Sequence, residues 1–308
     1  MRKIIGIGET VLDIIFRGEC PVSAVPGGSV FNSVVSLGRA GADVAFFGEV
    51  GDDRIGRRTI DYLNENGVDA AGVNMFRGTK SALSLAFLNE KNDAEYVFYK
   101  DHPNDRMEFS MPDVQPDDIV LFGSYYAINP VIRRQMTAFL EHARSNGAIL
   151  YYDVNFRPSH EGELIRVMPN ILENLEMADI VRGSDEDFHV MFKKDSADVV
   201  YKSEISFYCR RFIYTRGALP VEVRGDGGFA KSYEVAVTDT VSTVGAGDNF
   251  NAGFVYGMIR LGIGRAELER GLTAEEWDGL IGYARSFSAE CCRSIGNSIS
   301  REFGERLK

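Results

Sequence analysis

Ser242-Thr243-Val244-Gly245-Ala246-Gly247-Asp248-Asn249-Phe250 is the most informative stretch of this 308-residue chain. Three small residues, Gly245, Ala246 and Gly247, precede an amphipathic run from Asn249 to Arg260. Small residues at such a junction let backbone N–H groups turn toward one point at a helix N-terminus. The helix dipole adds partial positive charge there, and together these make an anion site. Asp248 falls in the first turn and is expected to stay ionised, because nearby N–H donors and the dipole favour a carboxylate. Phosphoryl transfer to a hydroxyl needs this pairing: the carboxylate orients and deprotonates the alcohol, and the anion hole takes the developing charge. Taken alone, the segment still reads more simply as a Gly-rich turn with a capping Asp.

A second Gly-rich turn shifts that balance. Pro26-Gly27-Gly28-Ser29-Val30-Phe31-Asn32 also leads into a helical pattern, and Asp13 lies at the end of the first strand unit. Carboxylate and amide oxygens accept sugar hydroxyl protons while backbone N–H groups donate, so Asp13, Gly28 and Asn32 suit a polyhydroxylated ligand. Other phosphate motifs fail. Gly-Lys-Ser/Thr occurs nowhere, and after Gly6-Ile7-Gly8 position 11 is Val, which breaks the dinucleotide fingerprint and disfavours a Rossmann dehydrogenase.

Along the chain, short apolar runs alternate with longer amphipathic ones. Lys3–Gly8, Ala42–Val50, Asp118–Gly123, Ala148–Asp153 and Arg211–Thr215 read as buried strands. Arg54–Asn66, Pro130–Asn146 and Gly162–Met177 read as helices, the first two stopped by Asn-Gly. This rhythm predicts an α/β fold, a mostly parallel sheet with helices on both faces. Ser81–Asn89 and Ala94–Lys100 break it as a hairpin around Glu90-Lys91-Asn92-Asp93, and Thr10–Phe16 is a candidate third strand of the same lid.

Composition excludes several classes. The net charge is −11, from 34 Lys and Arg against 45 Asp and Glu, so nucleic-acid binding is not expected. Anionic lipid surfaces are disfavoured likewise, and no stretch reaches the ~18 apolar residues of a membrane span. Four cysteines make no disulfide framework, and Glu9 cuts off the first apolar run, so no signal peptide is read. A cytoplasmic protein is expected. His102, His142, His160 and His189 lack metal-ligand spacing, and Trp277 reads as a packing residue.

Gly27-Gly28…Asn32, then Gly48-Glu49-Val50-Gly51-Asp52-Asp53…Gly56, then Gly245-Ala246-Gly247-Asp248-Asn249-Phe250 resemble the ribokinase/PfkB family of carbohydrate kinases, in order and across nearly the whole chain. The resemblance implies a ribokinase-like fold: one α/β domain over residues 1–308 with lid strands inserted at about 10–17 and 81–100. It implies ATP as donor, Mg²⁺, and a small-molecule sugar as acceptor. Asp248 matches the catalytic base, and Gly245, Ala246 and Gly247 match the anion hole. Asp13, Gly27, Gly28 and Asn32 match sugar ligands, and Thr215-Arg216-Gly217 resembles a segment near the nucleotide. Asp153, Asn155 and Arg157, in Tyr152-Asp153-Val154-Asn155-Phe156-Arg157, look like fructokinases and 2-keto-3-deoxygluconate kinases; Arg157 would reach the transferring phosphate with its planar fork. Fructokinase is the first expectation and 2-keto-3-deoxygluconate kinase the second. Lid strands with open edges allow a homodimer.

Three departures stand out. Ser242 replaces the Asp that begins the last signature. Ser184 and Asp187 stand at the ends of the family's Asn-x-x-Glu segment, which leaves Asp187 as the Mg²⁺ candidate. Pro220 lies near where a second nucleotide-segment Gly would fall. These changes keep open a catalytically weak sugar-binding protein on the same fold. The loss at position 242 also predicts weak or absent activation by potassium, because a hydroxyl offers a cation only a dipole.

Overall fold

The apolar run after Lys3 forms a strand buried along its whole length, with a neighbour on each side. The computed structural model describes residues 2–88, 94–99, 107–108, 111–235 and 239–308. In chain order the strands are β1 (Ile4–Ile7), β2 (Val11–Arg17), β3 (Cys20–Gly27), β4 (Val44–Gly51), β5 (Val68–Phe76), β6 (Leu83–Leu88) and β7 (Ala94–Tyr99). They continue as β8 (Ile119–Gly123), β9 (Ile149–Asp153), β10 (Ile180–Ser184), β11 (Phe212–Arg216), β12 (Leu219–Arg224) and β13 (Ala230–Tyr233). The helices are α1 (Ser29–Arg39), α2 (Arg54–Glu65), α3 (Ser124–Ile128), α4 (Arg133–Ser145), α5 (Leu164–Met177) and α6 (Asp185–Phe192). After them come α7 (Ala197–Val200), α8 (Ala246–Arg260), α9 (Arg265–Arg270), α10 (Ala274–Cys291) and α11 (Arg301–Glu305).

Among the described residues the large sheet runs β13-β12-β11-β10-β9-β8-β1-β4-β5, parallel from β11 to β5 and antiparallel at the β12–β13 edge. A strand with helices on both sides must bury both faces. In β1, Ile4 packs with Val34, Phe46 and Phe254 on the α1, α8 and α10 side, while Ile5 and Ile7 pack with Val120 and Phe139 on the α4 side. Gly6 faces α1 so closely that a Cβ there would collide with Val34. Close packing, not a dinucleotide turn, explains that Gly. Trp277 is fully buried beside Phe254 and Phe229.

The expected helices are present with trimmed ends. Asn66 and Asn146 are C-caps, followed by Gly67 (φ 76°) and Gly147 (φ 82°), as Asn-Gly predicts. The helix expected from Gly162 begins at Leu164, because Pro158–Glu163 winds as a 3₁₀ turn first.

β3, β2, β6 and β7 form a separate 4-stranded sheet. Its β6–β7 hairpin was legible, although the turn Glu90–Asp93 lies outside the described residues. β3 was not anticipated. Its two prolines lack the N–H that a central strand needs, and it stands at the sheet's edge, where that lack is tolerated. One face of this sheet, carrying Val11, Asp13, Ile15, Ser84 and Ala86, is buried. Asp13 and Ser84 are cross-strand partners there.

Candidate active site

A cavity of about 360 Å³ lies at the carboxyl ends of the central strands, beneath the small sheet. Ligands of open α/β sheets bind at such a crevice. Its walls include Asp13 from β2, Gly28, Ser29 and Asn32 from the start of α1, and Gly245 and Asp248 from the start of α8. The rest comes from Glu9, Val11, Val244, Phe98 of β7, Ser124 and Tyr125 of α3, and Asn155, Arg157 and His160 after β9.

Asp248 is held by α1. Its Oδ1 accepts from Ser29 Oγ at 2.8 Å, its Oδ2 from Asn32 Nδ2 at 2.8 Å, and its carbonyl from Ser33 Oγ at 2.7 Å. Burial pushes its carboxyl up to about 6, against the Asn32 and Ser29 hydrogen bonds; Asp153 raises it further and Arg157 opposes. Enclosure therefore outweighs the donors and dipole that the sequence had suggested would keep it acidic. The Asp is ionised at neutral pH and sits close enough to neutrality to take a proton. Asn32 Oδ1 is buried with no hydrogen-bond partner among the described residues, an acceptor left for a ligand hydroxyl.

The turn before α8 has the shape that its small residues imply. Gly245 is the N-cap at φ 77°, and a Cβ there would lie 2.7 Å from Asn297 O. The Ala246 N–H is spent on Thr243 O at 3.1 Å, whereas among the described residues the Gly245, Gly247 and Asp248 amides have no backbone acceptor and are left to an anion.

Asp13 Oδ1 accepts from Ser84 Oγ at 2.7 Å and its Oδ2 from Asn297 Nδ2 at 2.6 Å. Burial raises its carboxyl to about 6, with Asp248 adding to the rise. Gly27 does not line the cavity. A Cβ there would collide with Asp13 Oδ2, so Gly27 makes room for that carboxylate.

Asp153 is not at the cavity surface either. Its Oδ1 pairs with Arg182 Nη1 at 2.9 Å, and its Oδ2 accepts from Asn251 Nδ2 at 2.8 Å and Ser29 Oγ at 3.4 Å. Asn155 does line the cavity. It adopts φ 38° and donates through Nδ2 to Ser124 Oγ at 2.6 Å; Ser124 is itself left-handed at φ 56°. Two strained residues bonded to each other at a cavity wall fit the concentration of backbone strain at functional sites.

Thr215 is the last residue but one of β11, and its Oγ1 lies 2.6 Å from Arg182 Nη2. Gly217 stands in the following turn at φ 53° with open space around it. Ser184 and Asp187 form a capping box on α6: Ser184 Oγ accepts from Asp187 N at 3.2 Å, and Asp187 Oδ2 accepts from Ser184 N at 2.6 Å. Burial raises Asp187 to about 6, opposed first by Arg182. No hydrogen bond to its Oδ1 is present among the described residues. Those residues contain no cluster of three or more His, Cys, Asp or Glu that could hold a metal. Mg²⁺ that arrives on nucleotide phosphates needs only one or two carboxylates, and Asp187 fits that part.

The surroundings of Ser242 do not fit a monovalent cation. Ser242 is fully buried, and its Oγ accepts from Val244 N at 3.2 Å. Cys291 Sγ meets Val244 O at 3.4 Å and Gly296 O at 3.6 Å, and the Cys292 carbonyl is taken by Val241 N at 2.8 Å. Among the described residues, Ser242 brings no carboxylate there, and the Val244, Gly296 and Cys292 carbonyls each already meet a donor.

Sequence reasoning missed Ser29, Arg182, Tyr125, His160 and Glu9. Ser29 follows Gly28 directly, so its proximity was available. Arg182 could have been found as a charged residue in an otherwise apolar buried strand. Tyr125 and His160, stacked at 4.2 Å, carry no motif.

The pfkB family carbohydrate kinase model matches residues 1–293. Fructokinase-1 of Oryza sativa subsp. japonica is 28% identical over 275 residues, covering 80% of this chain and 80% of the relative. The 5-dehydro-2-deoxygluconokinase of Geobacillus thermodenitrificans is 27% identical over 249 residues, 76% of this chain and 72% of the relative. A fructokinase double mutant from Vibrio cholerae, crystallised with fructose, ADP and potassium, superposes with TM-score 0.85 at 20% identity, covering 96% of this chain and 94% of that one. The fold is ribokinase-like, and by a match spanning nearly its whole length this chain belongs to the pfkB family of carbohydrate kinases.

Proposed function

We propose that this sugar kinase is a fructokinase, which moves the γ-phosphoryl group of ATP to a hydroxyl of fructose and forms fructose 6-phosphate. The observation that carries the reading is the Asp248 carboxylate, ionised near neutrality and standing in the cavity wall beside the Gly245 turn. ATP would supply the phosphoryl group, and Mg²⁺ held with the help of Asp187 would offset phosphate charge. Asp248 accepts the proton of the attacking hydroxyl as its oxygen bonds to phosphorus, and the bond to the departing ADP oxygen breaks. The amides of Gly245 and Gly247 take the developing charge, and Arg157 clamps the transferring group. Asp13 and Asn32 accept sugar hydroxyls. Thr215 and Gly217 would flank the nucleotide.

The cavity lining favours a neutral sugar. Three carboxylates, Glu9, Asp13 and Asp248, face it against Arg157 and His160. A sugar acid brings a further negative charge, and with Arg157 engaged on phosphate that charge would be poorly matched. The 5-dehydro-2-deoxygluconokinase relative supports the acid alternative. A coupled assay over fructose, 2-keto-3-deoxygluconate, ribose and adenosine separates them: fructose should lead by at least about tenfold in kcat/KM, and a lead by the acid would transfer the assignment.

A homodimer through the lid belongs to the same reading. Ile14, Phe16, Leu85, Phe87, Val97 and Tyr99 share the outer face of the small sheet, Phe16 and Phe87 stack at 5.0 Å, and Tyr99 is 56% exposed. A second copy would cover this apolar face; sedimentation of the parent and of Phe87→Glu tests it, with a monomeric parent overturning it. All four cysteines are free, which suits a reducing cytoplasm. Among the described residues no helix is long and apolar enough to cross a membrane.

A further inference from the structure

Arg182 on β10 is 7% exposed, yet it belongs to no signature and does not line the cavity. Its Nη1 pairs with Asp153 on β9 at 2.9 Å and its Nη2 meets Thr215 on β11 at 2.6 Å, so one guanidinium ties three neighbouring strands at their carboxyl ends. Directly above it is the turn that opens α8. A Cβ built on Gly247 would lie 3.0 Å from Nη2 and 3.2 Å from Nη1. The missing side chain of Gly247 is thus the space the guanidinium occupies.

This burial is costly as architecture. Arg182 Nε is buried with no hydrogen-bond partner among the described residues, and replacing a buried ion pair by apolar groups is often neutral or stabilising. Burial by itself would lower the Arg182 pKa; Asp153 and Asp187 more than reverse that, so the charge is secure. The charged and titratable groups around it are Asp153 and Tyr151 on β9 and Asp187 on α6; those around Asp248 are Asp153, Asp13, Arg157 and the Cys291 thiol on α10.

The geometry points to Arg182 as a positioning residue for phosphoryl transfer: a fixed positive charge beneath Gly247 that supports the anion hole and neutralises Asp153, which shares the Ser29 hydroxyl with Asp248. The charge acts through Gly247 and Asp153 and touches neither sugar nor nucleotide. In the low-dielectric interior it needs no reorganisation as charge moves onto the transferring phosphate.

This inference rests on the kinase reading, so parent turnover is measured first; a parent without sugar-dependent ADP release removes the reading itself. Arg182→Lys and Arg182→Gln are then compared. Both lose the planar fork, and only Lys keeps the charge. Arg182→Gln should fall at least about tenfold below Arg182→Lys in kcat, with fructose affinity by calorimetry within about threefold of the parent. The acid limb of its kcat profile should move to higher pH, and that of Arg182→Lys should not. A residue that only holds strands together would affect both variants alike and move no limb. Equal kcat and equal limbs in the two would overturn the assignment. Should Arg182→Gln fail to fold, Arg182→Lys decides: kcat within about tenfold of the parent with an unmoved limb supports the role, and a fall to the level of Asp248→Asn refutes it.

Discussion

Replacing Asp248 by Asn separates what this carboxylate does for the reaction from what it costs the fold. Asn keeps the shape: its Oδ1 can accept from Asn32, and its amide can donate to the Ser29 hydroxyl, so both existing contacts have counterparts. It removes the base. Turnover should fall about 10²-fold or more, the usual scale of general-base catalysis, while sugar affinity changes little. Stability should move the other way. The Asp248 carboxyl is raised from 3.8 to about 6, so between these values the folded chain binds more protons than the unfolded one. Stability is then lost as pH rises through that window, and the full cost is present above about 6. At about 1.4 kcal/mol per unit that cost is about 3 kcal/mol, which water in the cavity trims to about 1–3 kcal/mol. Asp248→Asn should therefore melt about 2–6 °C above the parent at pH 8 and converge with it near pH 4. Scanning calorimetry across pH, beside the turnover assay, reads both effects. A variant that is less stable than the parent at pH 8, or as active, would refute the reasoning.

Arg157→Ala should lower kcat more than it weakens sugar binding, with Arg157→Lys a poor rescue because an ammonium lacks the fork; steady-state kinetics with unchanged kcat would make Arg157 a surface ion pair. The small sheet should close on bound sugar, since Phe98 of β7 lines the cavity yet is 38% exposed; amides of β2, β6 and β7 should gain hydrogen-exchange protection at saturating fructose, and equal protection would mark a fixed extension. Potassium chloride should give no more turnover than tetramethylammonium chloride, because Ser242 offers a hydroxyl in place of a carboxylate and the Cys291 thiol already engages the Val244 carbonyl; strong potassium-specific activation would show that reading to be wrong. Gly245→Ala should lose activity beyond any loss of stability, since φ 77° and the Asn297 carbonyl both oppose a side chain at the anion hole.

Local signals in the chain carried much of this architecture. Strand–helix alternation, Asn-Gly stops and the small residues before α8 each encode a backbone preference that tertiary packing keeps. β3 was hidden because Pro21 and Pro26 argue against a strand unless its edge position is known. The site divides in the same way. Asp13, Asn32 and Asp248 were legible because they sit in motifs, and the structure brings them to one cavity. The roles of Asp153 and Arg182 were not, because a partner 29 residues away is set by sheet order, which no local pattern specifies. The raised carboxyls of Asp13 and Asp248 also come from enclosure by distant segments.

The most direct test of the central claim follows both products of one reaction. Parent protein, ATP, Mg²⁺ and fructose should give ADP and fructose 6-phosphate in equal amounts, and Asp248→Asn, folded and still binding fructose, should give about a hundredth of either or less. ADP without a phosphorylated sugar, or product formed by Asp248→Asn at the parent's rate, would contradict the account.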